Sequence, residues 1–170
     1  MWKIVLGRCT VRVRFSFMLL SALLFLLRDP VLIRGFCAGS ALHELGHVLA
    51  AYLTGGRISS VELRGTGVLM TVRRDRLPSL GQELFVLLSG PAVNLLMAAE
   101  LYLRGAVGSA LLIQLWQGLS NLLPFPGLDG GAALELLIMG RPDERALLRL
   151  IWAVRAAAAA GIVLAAVYLL

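Results

Sequence analysis

At 170 residues the chain has room for one domain and not for two of ordinary size. Hydrophobic residues make up 59% of it and charged residues 15%, against roughly a quarter charged in soluble domains. That excludes an ordinary soluble globule and points to a polytopic membrane protein. The net charge of +6 does not mark a nucleic-acid binder. The arginines lie between apolar runs, where they meet lipid headgroups, and no basic face interleaved with aromatics is present.

The N-terminus is basic (Lys3, Arg8, Arg12, Arg14) and runs into an apolar stretch, Phe15 to Leu27. Arg28-Asp29-Pro30 follows it where a signal peptide would carry a small-x-small cleavage site, so the stretch is expected to be a retained first span. It is short of the roughly 20 residues a span needs. Val11 and Val13 are therefore expected to join it, with Arg12 and Arg14 snorkelling outward. A second run, Val31 to Leu53, ends at Gly55-Gly56. Between Arg57 and Arg73, strand-forming residues flank Gly65-Thr66-Gly67, which predicts a short β-hairpin. The third run is Leu80 to Leu103, interrupted by Gly90-Pro91, and the fourth is Ala106 to Leu123, ended by Pro124-Phe125-Pro126-Gly127. A short helix over Gly130 to Met139 is closed by Gly140 and Pro142, and a last run covers Leu150 to Leu170. Cys9 and Cys37 have no metal-knuckle spacing. The expected fold is an all-α polytopic membrane protein: about five transmembrane helices with a short β-hairpin between the second and third spans. It forms a single membrane-embedded domain over 1–170, with its core at 10–140 and a last helix at 150–170.

Cationic residues orient the spans. Lys3, Arg8, Arg12 and Arg14, then Arg57, Arg64, Arg73, Arg74 and Arg76, then Arg141, Arg145 and Arg149 fall on one side, against Arg28, Arg34 and Arg104 on the other. The bias puts the N-terminus in the cytoplasm. The second and fourth spans then both run inward, so His43, His47 and Asp129 come to a similar depth near the cytoplasmic face.

His43-Glu44-Leu45-Gly46-His47 is an HExxH pattern. Positions i and i+4 share a helix face, so both imidazoles can reach one metal, with Glu44 placed to take a proton from water. The bland alternative is a pair of histidines gluing helices together. Against it, these are the chain's only two histidines, and three ionisable groups within five residues of an apolar span are costly unless used. A catalytic zinc needs a third protein ligand. Asp129, which opens the helix after the Pro/Gly break, leads; its ordinary role would be an N-cap. Glu135 is the competitor. Asn94 and Asn121 read equally well as helix-to-helix hydrogen bonders or as substrate contacts.

Together these pieces resemble the site-2 protease family of intramembrane metalloproteases. The matching blocks are His43-Glu44-Leu45-Gly46-His47, Ser89-Gly90-Pro91-Ala92-Val93-Asn94, and Asn121-Leu122-Leu123-Pro124 leading to Leu128-Asp129-Gly130-Gly131. The resemblance implies zinc (Zn2+) on His43, His47 and Asp129, catalysis by Glu44, and a substrate path lined by Asn94, Asn121 and Pro124. It implies cleavage of a membrane-associated or transmembrane protein near the cytoplasmic face, with the hairpin pairing to an unwound substrate segment. The implied partners are that substrate, the lipid bilayer and a membrane regulatory protein, with no nucleic acid. The compact form, lacking an inserted PDZ domain, is similar to the stage IV sporulation protein FB group, which implies a bacterial cell membrane and a membrane-bound sigma factor precursor as substrate. Two departures from that group are the absence of room for a CBS domain after Leu170 and Arg14-Phe15-Ser16-Phe17 in place of a first-span histidine. The competing reading is a catalytically inactive zinc-binding scaffold or transporter.

Overall fold

The computed structural model describes residues 2–7, 9–27, 30–65 and 67–169. The elements run β1 (Trp2–Leu6), β2 (Cys9–Val13), α1 (Phe15–Leu27), α2 (Pro30–Leu53), β3 (Arg57–Arg64), β4 (Gly67–Arg73), α3 (Leu80–Leu103), α4 (Ser109–Asn121), α5 (Asp129–Ile138) and α6 (Glu144–Leu169). Helices α2, α3 and α4 pack mutually, with α3 between the other two; α5 lies on α3 and α6 touches α5.

The expected hairpin is present as β3–β4, but it is half of a larger sheet. The four strands lie in the order β1-β2-β3-β4, which corrects the all-α expectation. It also corrects the first span. Val11 and Val13 do not extend α1; they are strand residues paired with Val61 and Leu63. The residues before Phe15 alternate over two five-residue strands about a turn at Gly7, whose φ of 60° is left-handed. Strands β2 and β3 are parallel, which requires a crossover. Helices α1 and α2 supply it, and an even pair returns the chain to the side it left.

The register gives the sheet two unlike faces. Ile4, Val11, Val61 and Met70 form one cross-strand row, and Lys3, Arg12, Glu62 and Leu69 form the next. Glu62 is buried and ion-paired with Arg64 at 3.0 Å and with Arg14. Hydrogen bonds from Arg64 first, and then from Arg14, hold its carboxyl below the usual carboxylate value. The Arg14 contact ties the start of α1 to β3, and the Arg14 amide donates to the Leu63 carbonyl at 3.0 Å.

Helix α3 starts at a capping box: the Ser79 hydroxyl accepts from the Gln82 amide at 3.2 Å, and the Gln82 side chain accepts from the Ser79 amide at 2.9 Å. It continues through Pro91 without a break. Apart from Ile33 and Leu111, what the bundle buries is small or polar: Gly39, Gly46, Ala50 and Ala51 with the two histidines on α2, Gly90, Pro91, Asn94 and Ala98 on α3, Gln114, Gln117 and Gly118 on α4. What it exposes is large and apolar, including Leu45, Leu49, Phe85, Leu96, Leu112 and Trp116. Water does not tolerate that much exposed apolar surface, whereas close backbone approach through small residues is how helices associate in lipid.

Among the described residues one helix, α3, is both long and apolar enough to cross a membrane. Helices α1 and α4 have 13 residues each, short of the roughly 20 a span takes. Helix α2 is long enough but carries Arg34, His43, Glu44 and His47; the charges of the 26-residue α6, Glu144, Arg145, Arg149 and Arg155, all lie in its first half. Among the described residues, length and composition thus mark one span and not the expected five.

Candidate metal centre

Helix α2 presents His43 and His47 on one face, one turn apart, both buried. Their rings meet edge to face, with centroids 4.8 Å apart. Each ring is held at Nδ1: His43 Nδ1 lies 2.7 Å from Asn94 Oδ1, and His47 Nδ1 lies 2.7 Å from the Val86 carbonyl. Both partners are acceptors, so both Nδ1 atoms carry the proton and donate it. The two Nε2 atoms are left with bare lone pairs, 3.1 Å apart, a contact that repels unless a cation lies between them.

Asp129 completes the group. It is the first residue of α5, after Leu128 as N-cap, and among the described residues it makes no side-chain capping bond. The N-cap alternative is thereby corrected. Its Oδ2 lies 3.0 Å from His43 Nε2 and 3.3 Å from His47 Nε2, yet it is buried without a hydrogen-bond partner among the described residues. The two histidine protons point away from it. The three atoms form a triangle with edges of 3.0, 3.1 and 3.3 Å. Three corners of a tetrahedron centred on zinc, with bonds of about 2.0 Å, are about 3.3 Å apart. Two imidazole lone pairs and an orphaned carboxylate oxygen in that arrangement fit a metal ion, and among the described residues this is the group that offers three such ligands.

Glycines make the approach possible. A Cβ on Gly90 would stand 2.8 Å from His43 Nε2 and closer still to His47 Nε2, and one on Gly46 would stand 2.8 Å from the Ser89 carbonyl. Both rings therefore lie directly against the α3 backbone. On the other side, Gly130 and Gly131 let the start of α5 fold onto the carbonyls of Leu122 and Phe125, which carries Asp129 inward.

Glu44 is half-buried on α2, next in sequence to His43 and three residues before His47. Asn94 is fully buried and touches His43 as described. Asn121 is not joined to the cluster by any hydrogen bond among the described residues; its amide donates to the Gln117 carbonyl one turn back, at 3.0 Å. The Pro124 carbonyl accepts from Arg155. Glu135, the competing third ligand, is paired with Arg155 at 2.7 Å, and Asp129 occupies the place beside the histidines. Sequence reasoning missed Gln114 and Gln117, whose amides surround Asn94. Their i, i+3 spacing on an apolar helix was the available signal. It also missed Arg155, whose partners lie on other elements.

A cavity of about 380 Å³ opens between β4, α3 and α5, lined among others by Val72, Arg74, Val86, Ala132 and Glu135. It shares Val86, whose carbonyl holds His47, with the centre, while His43, Glu44, His47 and Asp129 are not among its lining residues.

Residues 16–125 match the sequence family described as Peptidase M50B-like. That span includes the histidine pair and Asn94 and stops short of Asp129. Comparison with curated protein sequences gives no match. Among solved structures the fold is similar to that of the site-2 protease from Methanocaldococcus jannaschii, with 22% identity over 83% of this chain and 74% of that one and a TM-score of 0.64.

Proposed function

Because the chain belongs to the Peptidase M50B-like group of site-2 proteases, we propose that it is an intramembrane zinc endopeptidase acting on a membrane-associated or transmembrane protein. The observation that carries this is the triangle of two lone-pair nitrogens and one orphaned carboxylate oxygen, with Glu44 beside it.

His43, His47 and Asp129 would hold the metal. Zinc, when bound, supplies Lewis acidity toward the scissile carbonyl and toward water. Glu44 takes the proton from the attacking water and passes it to the leaving amine, a role that its place one residue after His43 suits. Asn121 and Pro124 take the role toward the substrate that family resemblance implies. A helical substrate must unwind first, because helical hydrogen bonding shields its carbonyls. Strand β4 is an edge of the sheet and borders the cavity that leads to Val86, which supports pairing of an unwound segment along β4. The arginine bias supports a cytoplasmic N-terminus and cleavage near the cytoplasmic face of a bacterial cell membrane. A membrane-bound sigma factor precursor is the substrate type that the sporulation-like form favours, with a membrane regulatory protein as a further partner.

The test is cleavage of single-span peptides in liposomes by wild type and Glu44→Gln. The variant should keep its metal and lose about 100-fold or more in rate. Cleavage by Glu44→Gln at the wild-type rate would overturn the assignment.

A further inference from the structure

Asn94 is the most completely buried polar side chain described, at 0% exposure, and every hydrogen-bonding atom of its amide is engaged. Its Nδ2 faces the Gly39 carbonyl at 3.2 Å, Gln114 Oε1 at 2.6 Å and Gln117 Oε1 at 3.4 Å. Its Oδ1 faces His43 Nδ1.

The direction of this network is set by groups that have no choice. A main-chain carbonyl only accepts. The Phe36 carbonyl, 3.0 Å from Gln117 Nε2, fixes the amide end of Gln117 toward α2, and Ser40 Oγ accepts from the same nitrogen at 2.8 Å. Gln117 Oε1 is then turned toward Asn94. The Gly39 carbonyl demands a donor as well, so Asn94 must present its NH2 to that side and its oxygen to His43. An oxygen there forces the proton of neutral His43 onto Nδ1, which leaves Nε2 bare toward Asp129.

We propose that Asn94 is a positioning residue of the metal centre: oriented by Gln114, Gln117 and two carbonyls of α2, it locks His43 in the tautomer whose Nε2 is free to bind the metal. The inference deepens the metal-centre reading and rests on it. It gives Asn94 a role toward the metal ligand in place of the substrate contact implied by family resemblance, since its donor atoms are already used. Partners of this kind, acting through a ligand, typically change metal affinity by about 10- to 100-fold.

The chain has only two histidines, so the imidazole nitrogens of metal-free, 15N-histidine-labelled protein can be read directly by NMR, well on the basic side of the histidine range. His47, held by the Val86 carbonyl, is the internal control. In wild type both rings should carry the proton on Nδ1. In Asn94→Leu the His43 ring should become a mixture of tautomers while His47 is unchanged, and zinc affinity measured by chelator competition should fall about 10- to 100-fold. Asn94→Asp keeps an acceptor for His43 and should restore the Nδ1 proton. Should Asn94→Leu not fold, Gln114→Leu/Gln117→Leu removes the orienting amides without touching the ligand and should loosen the same ring. A His43 ring that keeps its Nδ1 proton with wild-type zinc affinity in these variants overturns the proposal, as does a wild-type His43 protonated on Nε2. A variant with an unchanged ring and a raised KM would make Asn94 a substrate contact. The tautomer is read without metal or cleavage, so failure of the protease reading leaves this result interpretable.

Discussion

Gly90→Ala should separate the metal centre from the helix that supports it. The added Cβ stands 2.8 Å from His43 Nε2 and nearer to His47 Nε2, where ordinary contact is about 3.5 Å. Both rings must therefore withdraw, His43 by about 0.7 Å and His47 by more, while ligand distances tolerate only about 0.2 Å. Neither ring can retreat freely, since each is held at Nδ1 by Asn94 or by the Val86 carbonyl. Zinc affinity should fall by about 100-fold or more, close to 3 kcal/mol. The helix itself loses nothing: alanine within α3 is better than glycine by about 0.5–1 kcal/mol, which offsets part of the crowding in metal-free protein. Gly81→Ala is the control, on the same helix with nothing within 4 Å of the new Cβ. The assay is chelator competition for zinc alongside thermal melting of metal-free protein by circular dichroism. Gly90→Ala protein that binds zinc as tightly as Gly81→Ala would show that the metal is not held by imidazoles seated against Gly90 of α3.

Arg155→Met leaves the Pro124 carbonyl and Glu135 without their cation. It should cost about 1–3 kcal/mol and speed amide exchange over 122–128, measured by hydrogen–deuterium exchange; unchanged exchange there would mean that α6 does not brace the loop before Asp129. Glu62 supplies a pH prediction. Its carboxyl is held below the ordinary 4.5 by Arg64 and Arg14, so its contribution to stability is fully present above that value and is lost as pH falls through the lower folded-state value. Glu62→Gln should therefore flatten the acid limb of the melting-temperature profile, and an identical limb in both proteins would contradict the linkage.

The parts of this molecule legible in the sequence are those with local periodicity. His43 and His47 announce themselves because i and i+4 share a helix face, and the β3–β4 hairpin follows from strand formers around a turn. Asp129 lies 82 positions after His47, and only its place after a Pro/Gly break singled it out; Glu135 is paired with Arg155, a partner no local pattern reveals. Strands β1 and β2 were hidden because Lys3, Arg12 and Arg14 before an apolar run imitate the flank of a first span. The parallel pairing of β2 to β3 is set by the α1–α2 crossover and leaves no mark in either segment. Helix α1 fills its whole apolar run and is short because the run is, whereas α4 (Ser109–Asn121) gives up both ends of the run from Ala106 to Leu123 to its cap and turn.

The most direct test of the central claim is the zinc content of detergent-purified protein, comparing wild type with Asp129→Ala and Glu135→Ala. The account predicts about one zinc per chain in wild type and in Glu135→Ala, and none retained in Asp129→Ala. Zinc that survives Asp129→Ala, or a folded wild-type protein that takes up none, would contradict it.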